Sequence, residues 1–250
     1  PKPQNPIIEK RKFWKVIIIV FATEFINTFE IQMVILHVKR SEGNQFLYET
    51  TTAIQFAELQ KELVDINNMR LKIDRACQSM EDLASKGPLK PEALRGLDNL
   101  EEYVKHEDLT VINGLKEMPP KTGCREVKDD TNYRTGWLVS EVLCNQILEE
   151  VMRAKQLIHK TQIDKKINLT MVDMKACLDN FRGLTMMAYP GYHGLGEWEP
   201  IKVVLENREE WDEKMNLSED LSIDNCTIWI VSKECNPNKY FHEMFSKNEK

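Results

Sequence analysis

Met33-Val34-Ile35-Leu36-His37-Val38-Lys39-Arg40 decides the fold class. It reads as a short buried strand, polar only at His37, that stops at a basic pair. Ser41-Glu42-Gly43-Asn44 reads as a turn, and residues 45–50, opening Gln45-Phe46-Leu47-Tyr48, supply the antiparallel partner. An initiator-like methionine directly ahead of a hairpin is how many small ββα domains open, so the domain is expected to begin at Met33. Residues 1–32 contain no methionine and carry a basic-then-apolar run of their own, Lys10-Arg11-Lys12 and Lys15 ahead of Val16–Ala22. That apolar core is about seven residues, far short of the roughly 20 that span a bilayer. No small-x-small cleavage site follows before Glu24. Residues 1–32 are therefore expected to be an extra segment, either a strand or a product of upstream translation.

Downstream, Phe56, Leu59, Leu63 and Ile66 recur at steps of three and four, which predicts a helix over 53–67. Asn67-Asn68 is expected to end it, since asparagine tolerates the left-handed conformation. Leu71-Lys72-Ile73 is expected as a third strand and 76–86 as a short helix closed by Gly87-Pro88. Strand, strand, helix, strand is the ββαβ order of a ubiquitin-like domain. A further helix over 91–108 carries Leu94, Leu97, Leu100 and Val104. Residues 117–137, with Pro119-Pro120, Gly123, Asp129-Asp130 and Gly136, read as a linker loop. The expected division is 33–116, the linker 117–137, and a second domain over 138–250.

That second domain is expected to be mainly helical with a small β-hairpin, which makes the whole chain α+β. A helix over 139–160 has the stripe Val139, Leu143, Ile147, Val151, Ala154 and Ile158, with Glu149 and Glu150 ahead of Arg153 and Lys155. Thr170 caps a second helix whose buried face is Met171, Met174, Leu178 and Phe181, and Gly183 ends it. Leu184–Tyr189 and Ile201–Leu205 are expected to pair as the hairpin. Residues 206–215 are charged and expected exposed. Residues 218–233 are ambiguous between helix and the strand propensity of Thr227–Val231, and helix is the expectation.

The chain has 250 residues with 30% charged and 42% hydrophobic, the balance of a soluble globular protein. A net charge of −6 argues against nucleic acid as the main partner. Cys77, Cys124, Cys144, Cys177, Cys226 and Cys235 form no C-x-x-C pair. They are expected to be free buried thiols, which suits a reducing cytosol. The alternative is a secreted, disulfide-bonded chain, in which Asn168-Leu169-Thr170 and Asn225-Cys226-Thr227 become glycosylation acceptors.

Motifs for catalysis are missing. There is no phosphate-binding P-loop and no nucleophile elbow. Gly191-Tyr192-His193-Gly194-Leu195-Gly196 is glycine-rich but runs into Glu197-Trp198-Glu199-Pro200, so it is expected as a mobile hairpin loop rather than a nucleotide cradle. His37, His106, His159, His193 and His242 lie far apart without zinc-type spacing. Asp129-Asp130 lacks the regular oxygen spacing of a calcium loop and reads as a solvated turn. No catalytic, cofactor-binding or metal-binding residue is assigned, and the chain is expected not to be an enzyme. Trp198 and Tyr192 are the candidate aromatic contacts for a protein partner.

Met33–Arg40 followed by Gln45-Phe46-Leu47 resembles the start of the Kurly family of cilia- and flagella-associated proteins. The likeness continues through Asn68–Ile73, Met80–Ala84 and Val127–Asp130. It is densest at Leu178-Asp179-Asn180-Phe181-Arg182-Gly183. Tyr189-Pro190, Pro200-Ile201, Glu206-Asn207, Trp229 and Lys233-Glu234 follow, up to Lys247–Lys250. Residues 1–32 have no counterpart, and the loop Tyr192–Trp198 differs. The family continues past Lys250 with a charged region, so a C-terminal tail is expected to be missing. The resemblance implies a non-enzymatic adaptor of motile cilia, acting in cytoplasmic assembly of outer dynein arms and in cilium positioning. It places the protein in the cytoplasm and near basal bodies. The implied partners are dynein assembly factors, including a zinc-finger MYND-type protein, with no nucleic acid, membrane or small-molecule substrate. The alternative is a structural axoneme or basal-body component bound to microtubules.

Overall fold

A computed structural model describes residues 14–21, 33–96, 125–209, 219–230 and 232–244, with the backbone alone at 14–21. The chain is mixed α+β, with five α-helices and two sheets among the described residues. It forms two compact units, neither of which is one continuous stretch. Among the described residues the first comprises 14–21, 33–68, 159–170, 220–230 and 232–244; the second comprises 69–96, 125–158, 171–209 and 219. Of the expected linker, residues 117–124 lie outside the described residues, and 125–137 fall in the second unit.

The first unit is built on a five-stranded sheet. The opening hairpin is present: β2 (Met33–Lys39) pairs antiparallel with β3 (Gln45–Thr51), with Leu36 opposite Tyr48. The segment ahead of it contributes β1 (Trp14–Phe21), the strand alternative of the sequence reading. β1 lies between β2, antiparallel, and β6 (Cys226–Ile230), parallel, with Ile19 opposite His37 and Ile17 opposite Trp229. β7 (Lys233–Glu234) closes the order β3-β2-β1-β6-β7. The helix expected over 218–233 is therefore a strand. Alternating burial of Cys226, Ile228 and Ile230 is the period-two signature, and the β-branched run Thr227-Ile228 agrees with it.

The third strand at Leu71–Ile73 is not formed, and the ubiquitin-like ββαβ arrangement is not confirmed. One helix, α1 (Phe56–Lys86), runs through both expected helices and the strand between them. Two side-chain effects decide this. Asn68 does not bend the backbone; its amide donates to the Leu221 carbonyl at 2.8 Å and its oxygen accepts from the Leu221 N–H at 2.8 Å. Asn67 is buried and accepts from the Asn44 amide at 3.3 Å. The apolar stripe is also unbroken, because buried Arg70 fills the gap between Ile66 and Ile73 and donates to the Ile158 carbonyl at 3.0 Å. Gly87, with φ +75°, ends the helix as expected. Leu36, Phe46, Phe56, Leu59 and Phe241 are among the first unit's core, with the Phe56 and Phe241 rings 5.8 Å apart. Each such fully buried side chain contributes about 1.5–3 kcal/mol.

In the second unit the small hairpin is β4 (Arg125–Glu126) with β5 (Trp137–Leu138), not the pair expected over 184–189 and 201–205. α2 (Glu141–Ile158) matches the expected helix. A single turn, α3 (Thr161–Asp164), belongs to the first unit. α4 (Met171–Ala188) passes through Gly183 and absorbs the expected strand. Thr185 and Ala188 continue the buried Met174–Cys177–Phe181 stripe at helical spacing, and the Thr185 hydroxyl is satisfied by donating to the Phe181 carbonyl at 2.8 Å. α5 (Pro200–Leu205) replaces the other strand, and all of Ile201–Leu205 is buried. Pro200 in its first turn is the helix-start signal that the apolar run conceals. Of the helix expected over 91–108, a 3₁₀ turn at Glu92–Leu94 is seen, and 97–108 lie outside the described residues. No helix among the described residues is long and apolar enough to cross a membrane.

Candidate functional site

α2 and α4 lie against each other and leave an open groove of about 500 Å³ along their outer side. From α2 it is lined by Gln146, Glu149, Glu150 and Arg153, and from α4 by Asp179, Asn180, Gly183, Leu184 and Met187. The helical spacing explains the set. The i, i+3, i+4 positions of α2 that bury Cys144, Ile147, Val151 and Ala154 leave 146, 149 and 153 on the opposite side. Glu150 sits at the boundary, 9% exposed, and its carboxylate accepts from the Asn180 amide at 2.8 Å and from the Arg153 guanidinium at 3.3 Å. Asp179 accepts from Arg182 at 2.5 Å.

The same helices carry six of the twelve exposed large apolar side chains among the described residues. Val142, Leu148 and Met152 on α2, with Val172, Met186 and Met187 on α4, are all exposed; Met187 is 57% accessible and Met152 59%. Of these six, Met187 lines the groove. Sequence reading foresees Met174 and Phe181 as core, which they are, but not Met186 and Met187, because it assigns them to a strand. The stretch Leu178–Gly183, which carries the family resemblance most densely, supplies Asp179, Asn180 and Gly183 to the groove.

The candidate aromatics belong elsewhere and have structural work. Trp198 is half-buried and donates its indole N–H to the Leu89 carbonyl at 2.9 Å. Its ring lies so close to Gly196 that a Cβ there would meet it at 2.3 Å. Tyr192 is half-buried with the Lys202 ammonium 5.1 Å from its ring centre. Lys202 also pairs with Glu197, and this hydrogen bond holds the Glu197 carboxyl below its ordinary range. The glycine-rich stretch is thus not a hairpin loop but a 3₁₀ turn at Pro190–Tyr192 leading to buried Leu195.

Asp129 is likewise not a solvated residue. It is 6% exposed and accepts from the backbone N–H groups of Thr131, Tyr133 and Arg134 at 3.2, 3.0 and 2.8 Å. Burial opposes its ionisation, but these donors, the Thr131 hydroxyl and nearby Lys86 outweigh it and lower the carboxyl below its ordinary range. Arg134 then reaches the Gly87 carbonyl at 2.8 Å and Glu199 at 3.2 Å. Glu199 is fully buried and also accepts from the Leu89 N–H at 2.6 Å; burial raises its carboxyl above the usual range despite Arg134. Glu209, expected to be exposed, is buried and bridges Lys72 at 2.7 Å and Arg75 at 3.2 Å.

His37 is half-buried and shares a 2.9 Å hydrogen bond with Gln45. Among the described residues no three His, Cys, Asp or Glu side chains converge as a metal site. Cys77, Cys144, Cys177, Cys226 and Cys235 are buried and free; Cys124 lies outside the described residues. Burial pushes the Cys77 thiol up to about 12 and those of Cys177, Cys226 and Cys235 up to about 11.

Comparison with known proteins yields a consistent group. The chain is 32% identical over 223 residues to cilia- and flagella-associated protein 298 of Danio rerio, covering 87% of this chain and 73% of that one. It is 30% identical over 220 residues to the Homo sapiens protein of the same name, with the same coverage of both. Identity to the Drosophila melanogaster protein is 25% over 219 residues, again 87% and 73%. No family model matches the chain. No solved structure matches it.

Proposed function

The chain belongs to the family of cilia- and flagella-associated protein 298, and from that premise we propose that it is a non-enzymatic adaptor in the assembly of outer dynein arms and in cilium positioning. It works in the cytoplasm and near basal bodies before the arms reach the cilium. It acts through protein partners, namely dynein assembly factors including a zinc-finger MYND-type protein, and not through nucleic acid, membrane or a small-molecule substrate. The observation that carries this reading is the likeness to the ciliary relatives over 87% of the chain. The exposed apolar side chains of α2 and α4 support it, because an adaptor needs an accessible surface of that character.

The test is a pull-down with the full chain from cytosol of cells building motile cilia, read by mass spectrometry, beside a salt-washed axoneme fraction. Enrichment of axonemal dynein chains with assembly factors, and depletion of the protein from washed axonemes, is the expected result. Retention on washed axonemes with tubulin and without assembly factors would overturn the adaptor reading in favour of a structural component.

A further inference from the structure

We propose that the groove between α2 and α4 docks an amphipathic helix of a partner protein that presents lysine or arginine to the groove's carboxylates. The proposal deepens the adaptor reading and rests on it for its biological setting. Two helices lying side by side form a bed into which a third packs by ridges and grooves. The wall offers such a helix both kinds of contact. Leu184 is half-buried and Met187 stands exposed one turn or less away. Methionine's flexible thioether adapts to the partner's side chains.

Gly183 lies between these contacts and the acidic residues. Glycine weakens a helix interior, and among the described residues no close neighbour calls for it here: a Cβ at Gly183 would meet none of their atoms within 4 Å beyond its own helix backbone. A helix wall without a side chain lets a docking backbone come close. Charge then selects the occupant. The groove lining holds three carboxylates, Glu149, Glu150 and Asp179, and one guanidinium, Arg153. Glu150 and Asp179 are engaged by Arg153 and Arg182, whereas Glu149 makes no ion pair among the described residues. A basic helix supplies the missing countercharge and an acidic one is repelled.

The experiment uses the full chain and two synthetic helical peptides of about five turns, with leucines at i, i+3, i+4 and i+7. One carries lysine on its polar face and the other glutamate. Affinity is read by fluorescence anisotropy and the site by hydrogen exchange. The lysine peptide is expected to bind at least about tenfold tighter and to protect 146–153 and 179–187. Gly183→Leu and Glu149→Lys are each expected to weaken it by about tenfold or more. Equal binding of the two peptides, protection elsewhere, or unchanged affinity in Glu149→Lys overturns the proposal. Glu149 is exposed, so that variant keeps its fold if Gly183→Leu does not. Recovery of dynein chains without lysine-peptide binding rejects the groove and leaves the adaptor; peptide binding without dynein chains does the reverse.

Discussion

Asp129 shows how much one residue decides. Its carboxylate gathers three backbone N–H groups and the Thr131 hydroxyl, and so fixes the turn from which Arg134 reaches Gly87 and Glu199. Asp129→Asn keeps the shape and removes the charge that strengthens those bonds. It is expected to cost about 2 kcal/mol at neutral pH. The folded carboxyl lies below its ordinary range, so its contribution is present above the unfolded pKa and is lost as pH falls through the folded one. The gap between wild type and variant in urea unfolding should therefore shrink from pH 7 to about pH 2.5. An undiminished gap would show that the charge has no such role. The turn itself was legible, since Asp129 and Thr131 have the spacing of side-chain-to-backbone turns. Burial of Asp129 was not, because it depends on Lys86 and Gly87 arriving from another part of the chain. Trp198 and Tyr192 misled for a related reason: an aromatic beside glycines looks exposed until Leu89 and Lys202 are brought to it.

At the scale of elements, errors arose where a local stop signal met a continuous long-range stripe. Leu59, Leu63, Ile66, Ile73, Cys77, Met80 and Ala84 follow helical spacing through Asn67-Asn68, and all are buried. The two asparagines read locally as a stop because their tertiary hydrogen bonds to Asn44 and Leu221 have no local signature. Asp74→Pro separates the alternatives. Within an unbroken helix it removes a backbone hydrogen bond and clashes with the preceding turn, costing about 3 kcal/mol or more. In a loop between a strand and a short helix it would cost far less, so a small shift in the denaturation midpoint would contradict a single α1. Gly183 taught the opposite lesson: it has the look of a helix end but sits inside α4, where Gly183→Ala should stabilise by about 0.5–1 kcal/mol. A lower melting temperature in that variant would mean that the site is more crowded than the 4 Å of free space around it implies.

The whole molecule is least legible from sequence, because it is made by segments that return. Turn-forming residues at 117–137 mark a local change in composition, but nothing local announces that 220–244 rejoins the sheet begun at 14–51. β6 pairs with β1; the Gln60 amide of α1 donates to the Cys226 carbonyl at 2.6 Å, and Asn68 holds Leu221. The segment 138–250 thus contains a strand and a lead-in whose partners lie before residue 70. Expressed alone it is expected to lose the cooperative urea transition of the full chain and to expose the tryptophan of β6. Thiol labelling gives a second readout on the same samples. Cys226 and Cys235, buried and with thiols pushed up to about 11, should resist a thiolate-selective reagent at pH 8 in the full chain and react rapidly in the fragment. A sharp transition with both cysteines protected would establish that 138–250 folds by itself, and the partition at 117–137 would then describe the protein better than its interleaved units.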